Sequence, residues 1–161
     1  MIFVTIGSMF PFDRLIRAMD AWAAERAPET ELLAQIGAGA YEPRNMPWVR
    51  RLDQADFART VARADLVVAH AGMGSVITAG RFGKPIVVLP RRRELGELTT
   101  DHQLATAGWL RDRPGIHVAD RDADLGPAIA GALARRDDDR PHLAPTAPET
   151  FIARIRQCIL S

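Results

Sequence analysis

Apolar residues in this chain form two alternating kinds of segment: short continuous runs, and longer stretches where they recur every third or fourth position. Met1 to Ile6 (MIFVTI) is the first run, rich in β-branched residues and ended by Gly7-Ser8, which predicts a buried strand entering a tight turn. Leu15, Ile16, Met19 and Trp22 or Ala23 follow at helical spacing after Asp13, with Pro28 beyond, and predict an amphipathic helix over Phe12 to Ala27. The alternation repeats with strands at Leu32 to Ile36 and Trp48 to Leu52 and a helix at Ala55 to Ala64. The clearest unit is Leu66 to Ala69 as a strand, Gly74 to Phe82 as a helix, and Ile86 to Leu89 as a strand stopped by Pro90. A helix opened by Asp101 and running through Leu110, a strand at Ile116 to Ala119 and a helix at Leu125 to Arg135 continue the series.

Strands separated by helices of ten or more residues pair in parallel through right-handed crossovers. The pattern therefore predicts an α/β fold: a Rossmann-like open, mostly parallel sheet of about six strands with helices on both faces. Residues 1–148 form one domain in this reading, with Arg136 to Pro148, rich in Asp, Arg and Pro, as a linker. Glu149 to Leu160 is a final amphipathic helix, with Phe151, Ile152, Ile155 and Ile159 on one face. That face either covers the domain's own sheet or docks a partner.

Composition narrows the function classes. The 161 residues carry 21 Lys plus Arg against 20 Asp plus Glu, a net charge of +1 that lacks the basic footprint of a nucleic-acid binder. Cys158 is the single cysteine, and no signal sequence opens the chain, so the expectation is a reducing cytoplasm. No apolar stretch reaches the length of a membrane-spanning helix, so any membrane association is expected through a surface or a partner.

Ligands of such sheets bind beyond the carboxyl ends of the strands. Three loops are expected at that edge: Gly7 to Pro11, His70 to Ser75, and Pro90 to Gln103. In His70-Ala71-Gly72-Met73-Gly74-Ser75 the glycines let backbone approach a ligand, and free N–H groups opening a helix favour a phosphate or diphosphate. The alternative is a close-packed turn with no ligand. His70 suits a donor or acid toward a ligand oxygen, or a pin that holds its loop. Asp101-His102-Gln103 offers a carboxylate, an imidazole and an amide to hydroxyl groups, with N-capping as the simpler role of Asp101. Arg91-Arg92-Arg93 could bring a guanidinium to a phosphate or carboxylate, or form a solvated basic loop.

Other chemistries lack their signatures. Gly7-Ser8-Met9-Phe10-Pro11 is not the glycine fingerprint of a dinucleotide site, and Gly83-Lys84-Pro85 is not a phosphate-binding loop opening a helix. The Asp120-Arg121-Asp122-Ala123-Asp124 run precedes a helix and is read as capping. No metal-ligand spacing, no hydrolase elbow and no cysteine–histidine pair stands out, so neither a metal nor another cofactor is expected.

Taken in order, Val4 to Ser8 with Phe12 to Leu15, His70 to Ser75, Gly83 to Pro90 and Asp101 to Ala105 resemble glycosyltransferase family 28 over residues 1 to about 110. More narrowly, they resemble the small donor-binding subunits of bacterial exopolysaccharide synthesis and of the eukaryotic dolichol-linked N-acetylglucosaminyltransferase. The resemblance implies the donor-binding half of a GT-B fold, with a UDP-sugar as donor, inverting transfer and no required metal. It implies that Gly7, Ser8 and His70 to Ser75 surround the diphosphate, while His102 and Gln103 meet sugar hydroxyls. Thr78 stands where many relatives carry an acid for the ribose. Two-domain members add a half that binds the acceptor and supplies the base, so the expectation here is a separate, membrane-anchored, acceptor-binding subunit. A polyprenyl-linked acceptor at the inner membrane face and an exopolysaccharide or surface-glycan product follow from the same resemblance. The arginine run adds an anionic sugar such as glucuronate to the candidate donors. The competing reading is a non-catalytic nucleotide-sugar-binding or regulatory module on the same fold.

Overall fold

A computed structural model describes residues 1–26, 30–134 and 146–160. Its strands are β1 (Ile2–Thr5), β2 (Leu32–Gln35), β3 (Trp48–Val49), β4 (Leu66–His70), β5 (Ile86–Leu89) and β6 (Ile116–Val118). Its helices are α1 (Asp13–Arg26), α2 (Gln54–Arg63), α3 (Met73–Arg81), α4 (His102–Leu110), α5 (Leu125–Ala134) and α6 (Glu149–Leu160). The strands form one parallel six-stranded sheet in the order β3-β2-β1-β4-β5-β6, as the alternation predicts.

Because successive strand residues point to opposite faces, each central strand supplies two cores. Ile2, Val4, Leu66, Val68, Val87 and Leu89 pack under α1 and α5. Phe3, Val67, Ala69, Ile86 and Val88 pack under α2, α3 and α4, with Phe3 edge-on to Phe57 at 5.6 Å. Strands buried on both faces must be apolar throughout, which is why they read as continuous runs.

Several boundaries differ from the sequence reading. His70 is the last residue of β4 rather than the first of a loop, and the strand predicted at Trp48 to Leu52 pairs only through Trp48 and Val49. Asp101 stands at the N-cap of α4 without capping it; its carboxylate accepts from the Arg93 N–H at 3.0 Å and ties down the preceding loop. The linker predicted from Arg136 lies largely outside the described residues. No residue of α6 is buried, and Phe151, Ile155 and Ile159 of its apolar face are exposed. No helix among the described residues is long and apolar enough to cross a membrane.

A buried carboxylate fixes the crossing from β2 to β3. Asp20 on α1 accepts from Tyr41 Oη (2.6 Å) and from the N–H groups of Arg44 (3.0 Å) and Asn45 (2.7 Å). Burial raises its pKa, but the hydrogen bonds from Tyr41, Asn45 and Arg44 outweigh that, so it sits below the usual value. A depressed folded pKa means the contribution is present above the unfolded value of about 3.9 and is lost as pH falls through the folded one. Asp20→Ala strands the buried donors and is expected to cost about 2 kcal/mol in urea unfolding at pH 7. The difference from the parent should shrink as pH falls below about 3.9.

Candidate functional site

After β1 the chain lays β2 and β3 to one side, then crosses back to place β4 on the other flank of β1. The carboxyl ends of β1 and β4 thus lie side by side where the strand order reverses, the position at which open α/β sheets form their crevice. A cavity of about 610 Å³ opens there. Gly7, Ser8, His70, Gly72, Gly74 and Ser75 line it, and Thr78, Arg91, His102 and Gln103 reach it from α3, the end of β5 and α4. The remaining residues expected at the site do not line it. Ala71 is buried in the core beneath α3, and Met73 is partly exposed on that helix. Arg92 turns to Glu94 and the Asp120 carbonyl, and Asp101 to Arg93.

The floor of the cavity is a histidine between two glycines. Gly7 has φ +77°, a left-handed conformation that glycine adopts freely, and a Cβ there would stand 2.7 Å from His70 Cε1. A Cβ on Gly72 would stand 2.6 Å from His70 Cδ2 and closer still to Nε2. The ring fits only because both neighbours lack side chains. Burial, helped by the charge of Arg91, lowers the His70 pKa to about 4, so the imidazole is neutral at pH 7. Its Nδ1 is buried without a hydrogen-bond partner among the described residues.

Above this floor lie unused backbone donors. The N-cap of α3 is Gly72, which has no side chain to cap with, and Met73 and Gly74 N–H find no acceptor among the described residues. Ser8, Met9 and Phe10 N–H are likewise free among the described residues. The loop that carries them is held in shape: Gly7 N–H donates to Thr5 Oγ1 (3.2 Å), Thr5 Oγ1 to Gln35 Oε1 (2.5 Å), and Gln35 Nε2 to the Gly7 carbonyl (3.2 Å). Free N–H groups at a helix start favour an anion. Gly74 faces open space: a Cβ there would meet nothing within 4 Å.

Two polar side chains do more structural work than their sequence pattern suggests. Gln103 is buried and its Oε1 accepts from the Arg91 N–H at 3.0 Å, so its NH₂ group is what remains for a ligand. Thr78 Oγ1 donates to the Gly74 carbonyl one turn back at 2.8 Å, which leaves it an acceptor only. His102 is exposed at the rim, its Nδ1 2.6 Å from Thr100 Oγ1.

One wall escaped the sequence reading. Leu52 and Asp53 enter from the β3–α2 connection and Gln54 and Phe57 from the first turn of α2, Leu98 from the loop before α4, and Met9, Phe10 and Gln35 complete the lining. The signal that would have found the wall is the strand order: parallel pairing puts every strand-to-helix connection at this edge, and the order β3-β2-β1-β4 sets this one on the β2 side of the β1–β4 crevice. The acidic run after β6 is structural, as its position before a helix predicts: Asp122 pairs with Arg14 (2.5 Å), Asp120 with Arg111 (2.8 Å), and Asp124 accepts from the Arg121 N–H. Among the described residues no group of three or more His, Cys, Asp or Glu could hold a metal ion.

Comparison with known proteins points the same way as the crevice. The family model of the glycosyltransferase family 28 C-terminal domain matches residues 1–109. The UDP-N-acetylglucosamine transferase subunit ALG13 of Homo sapiens is 32% identical over 120 residues, spanning 68% of this chain and 10% of that protein. Among solved structures, the glycotransferase of kitacinnamycin superposes with a TM-score of 0.61 at 22% identity, over 83% of this chain and 35% of that one. CalG4, the calicheamicin glycosyltransferase, superposes with a TM-score of 0.58 at 22% identity, over 99% of this chain and 39% of that one. At such identities the superpositions establish the fold. The chain corresponds to about a tenth of the length of the curated relative and to little more than a third of these structures.

Proposed function

The chain belongs to the glycosyltransferase family 28 C-terminal domain family, and from that membership we propose that it is the donor-binding catalytic subunit of a UDP-sugar-dependent glycosyltransferase. The observation that carries the reading is the meeting, at one sheet edge, of free N–H groups from two loops above a neutral histidine and a buried arginine. A diphosphate matches those donors. Leu52 and Phe57 give the same cavity an apolar wall suited to a flat pyrimidine, while Gln103 and His102 offer polar atoms to a sugar.

In an inverting transfer the acceptor oxygen bonds to the anomeric carbon as the bond from that carbon to the UDP oxygen breaks. The acceptor's proton passes to a base, and the electron pair leaves with UDP. The α3 N-terminus would stabilise the charge gathering on UDP. His70 is neutral and so chemically able to accept a proton, but its ring lies at the anion end of the cavity, which favours donor binding as its role. The base is then expected from an acceptor-binding partner. The relative's name describes a subunit, which supports an assembly of this kind. The apolar face of α6 is a candidate docking element for that partner, which we expect to be membrane-anchored and to present a polyprenyl-linked acceptor for an exopolysaccharide or surface glycan. Deleting the residues after Pro148 is expected to leave the domain folded and abolish co-purification with the partner; a truncated domain that unfolds would assign α6 to the core instead.

Thermal-shift titration with UDP, UDP-sugars, GDP, NAD and flavin tests the donor site. UDP at one hundred times its dissociation constant should add about 2.7 kcal/mol of stability. A shift with NAD or flavin alone would refute the donor reading. One observation favours a binding module without turnover: the Thr78 hydroxyl is committed to Gly74. UDP binding without transfer of labelled sugar, in the presence of partner and lipid acceptor, would establish that alternative.

A further inference from the structure

Arg91 is buried as few arginines are, at 3% exposure directly after the strand β5 and Pro90. Its Nη2 donates to the carbonyls of Ile6 and Phe10, both at 2.8 Å, and its guanidinium carbon lies 4.8 Å from the Phe12 ring centroid. Its own N–H holds Gln103. Among the described residues the buried Nε atom finds no acceptor, and no carboxylate forms an ion pair with the group. Glu97, the nearby acid, is taken in a two-pronged pairing by Arg14 at 2.7 and 2.9 Å. Buried arginines are normally paired. This one borders the cavity instead.

We infer that Arg91 is a positioning residue for the donor: it braces the Gly7–Phe10 segment through two carbonyls, keeps that segment's free N–H groups at the anion site, and gains its missing counter-charge when the site fills. The inference rests on the cavity's being a nucleoside-diphosphate site and assigns the loop's order in that site to one residue. The geometry explains why arginine is needed. The planar guanidinium lies over Phe12 and so fixes the direction of the two Nη2 hydrogens toward Ile6 and Phe10, whereas a lysine ammonium on a flexible stem has no plane to set that direction.

The test uses the full chain and Arg91→Lys, which keeps the charge and loses the planar group that orients the two donors. Backbone order parameters for Ser8 to Phe10, with and without UDP, and UDP affinity are measured on both proteins. The expected result is a drop in order confined to those residues in Arg91→Lys, together with an affinity loss of about tenfold, the scale of one hydrogen bond to a charged group. An ordered loop in the variant, or a disordered loop with parental affinity, overturns the inference. If Arg91→Lys does not fold, the parent protein decides through its Arg91 Nε–H resonance, which should slow its solvent exchange on addition of UDP; an unchanged resonance overturns the inference. Failure of the parent to bind UDP would show itself separately as failure of the donor-site reading, and the ligand-free loop order would still report the bracing.

Discussion

Gly72→Ala is expected to reduce UDP affinity by about a hundredfold or more, equivalent to about 2.7 kcal/mol, while the protein still folds. Gly72 has φ −99°, which any residue adopts, so the backbone presents no obstacle. The obstacle is His70, whose Cδ2 would lie 2.6 Å from the new methyl and whose Nε2 would be nearer. The ring cannot retreat toward β1, because Gly7 is already tight against it: even a Cβ there would stand 2.7 Å from Cε1. Its remaining exit is into the cavity, where the diphosphate is proposed to sit. The expected stability loss is about 1 to 3 kcal/mol, the usual cost of overpacking. Gly74→Ala is the control for stability, since its Cβ would meet nothing within 4 Å and the residue is helical, so the melting temperature should hold or rise slightly. Adding His70→Ala to Gly72→Ala removes the clash, so the stability losses should be strongly non-additive. Isothermal titration and urea melts of the parent, Gly74→Ala, Gly72→Ala, His70→Ala and the double variant check this. Parental UDP affinity in Gly72→Ala would exclude the loop as the anion site.

The same residues show what the sequence made legible. The β–α alternation, the single parallel sheet and the placing of Gly7 and His70 at one edge all follow from local patterns, because strands buried on both faces have no polar positions to blur them. All carboxyl-end connections of a parallel sheet share that edge, but which of them flank the crevice depends on strand order, a non-local property. The Leu52 to Phe57 wall was therefore out of reach, while the neighbouring glycine loop was not. Arg91 illustrates a second limit. Among three consecutive arginines nothing local distinguishes the one that turns inward to Ile6 and Phe10 from Arg92, which turns outward to Glu94. Thr78 and Gln103 illustrate a third, since hydroxyls and amides are read as ligand groups until their internal partners, Gly74 and Arg91, are known.

Acid should weaken this fold through His70 well before its carboxylates protonate. The folded imidazole has a pKa of about 4, lowered first by burial and then by Arg91, whereas an unfolded histidine titrates near 6.5. Below pH 6.5 the unfolded chain takes up a proton that the folded chain refuses, so stability is full above that value and falls as pH approaches 4. A gap of this size amounts to about 3 kcal/mol, comparable with a large share of a domain's net stability. His70→Asn removes the titrating group and should flatten the stability profile between pH 6.5 and 4, leaving the carboxylate-driven loss below it. Occupancy should act in the opposite direction. A diphosphate beside the ring offsets the charge of Arg91 and favours the imidazolium, so a UDP-sugar, whose diphosphate has no group titrating between pH 5 and 7, should take up a proton on binding near pH 5, and its affinity should rise as pH falls from 7 to 5. Calorimetric titrations in buffers of different ionisation enthalpy measure that uptake directly. A proton count of zero at pH 5, with the UDP-sugar bound, would place the diphosphate away from His70 and leave the histidine as a loop pin alone.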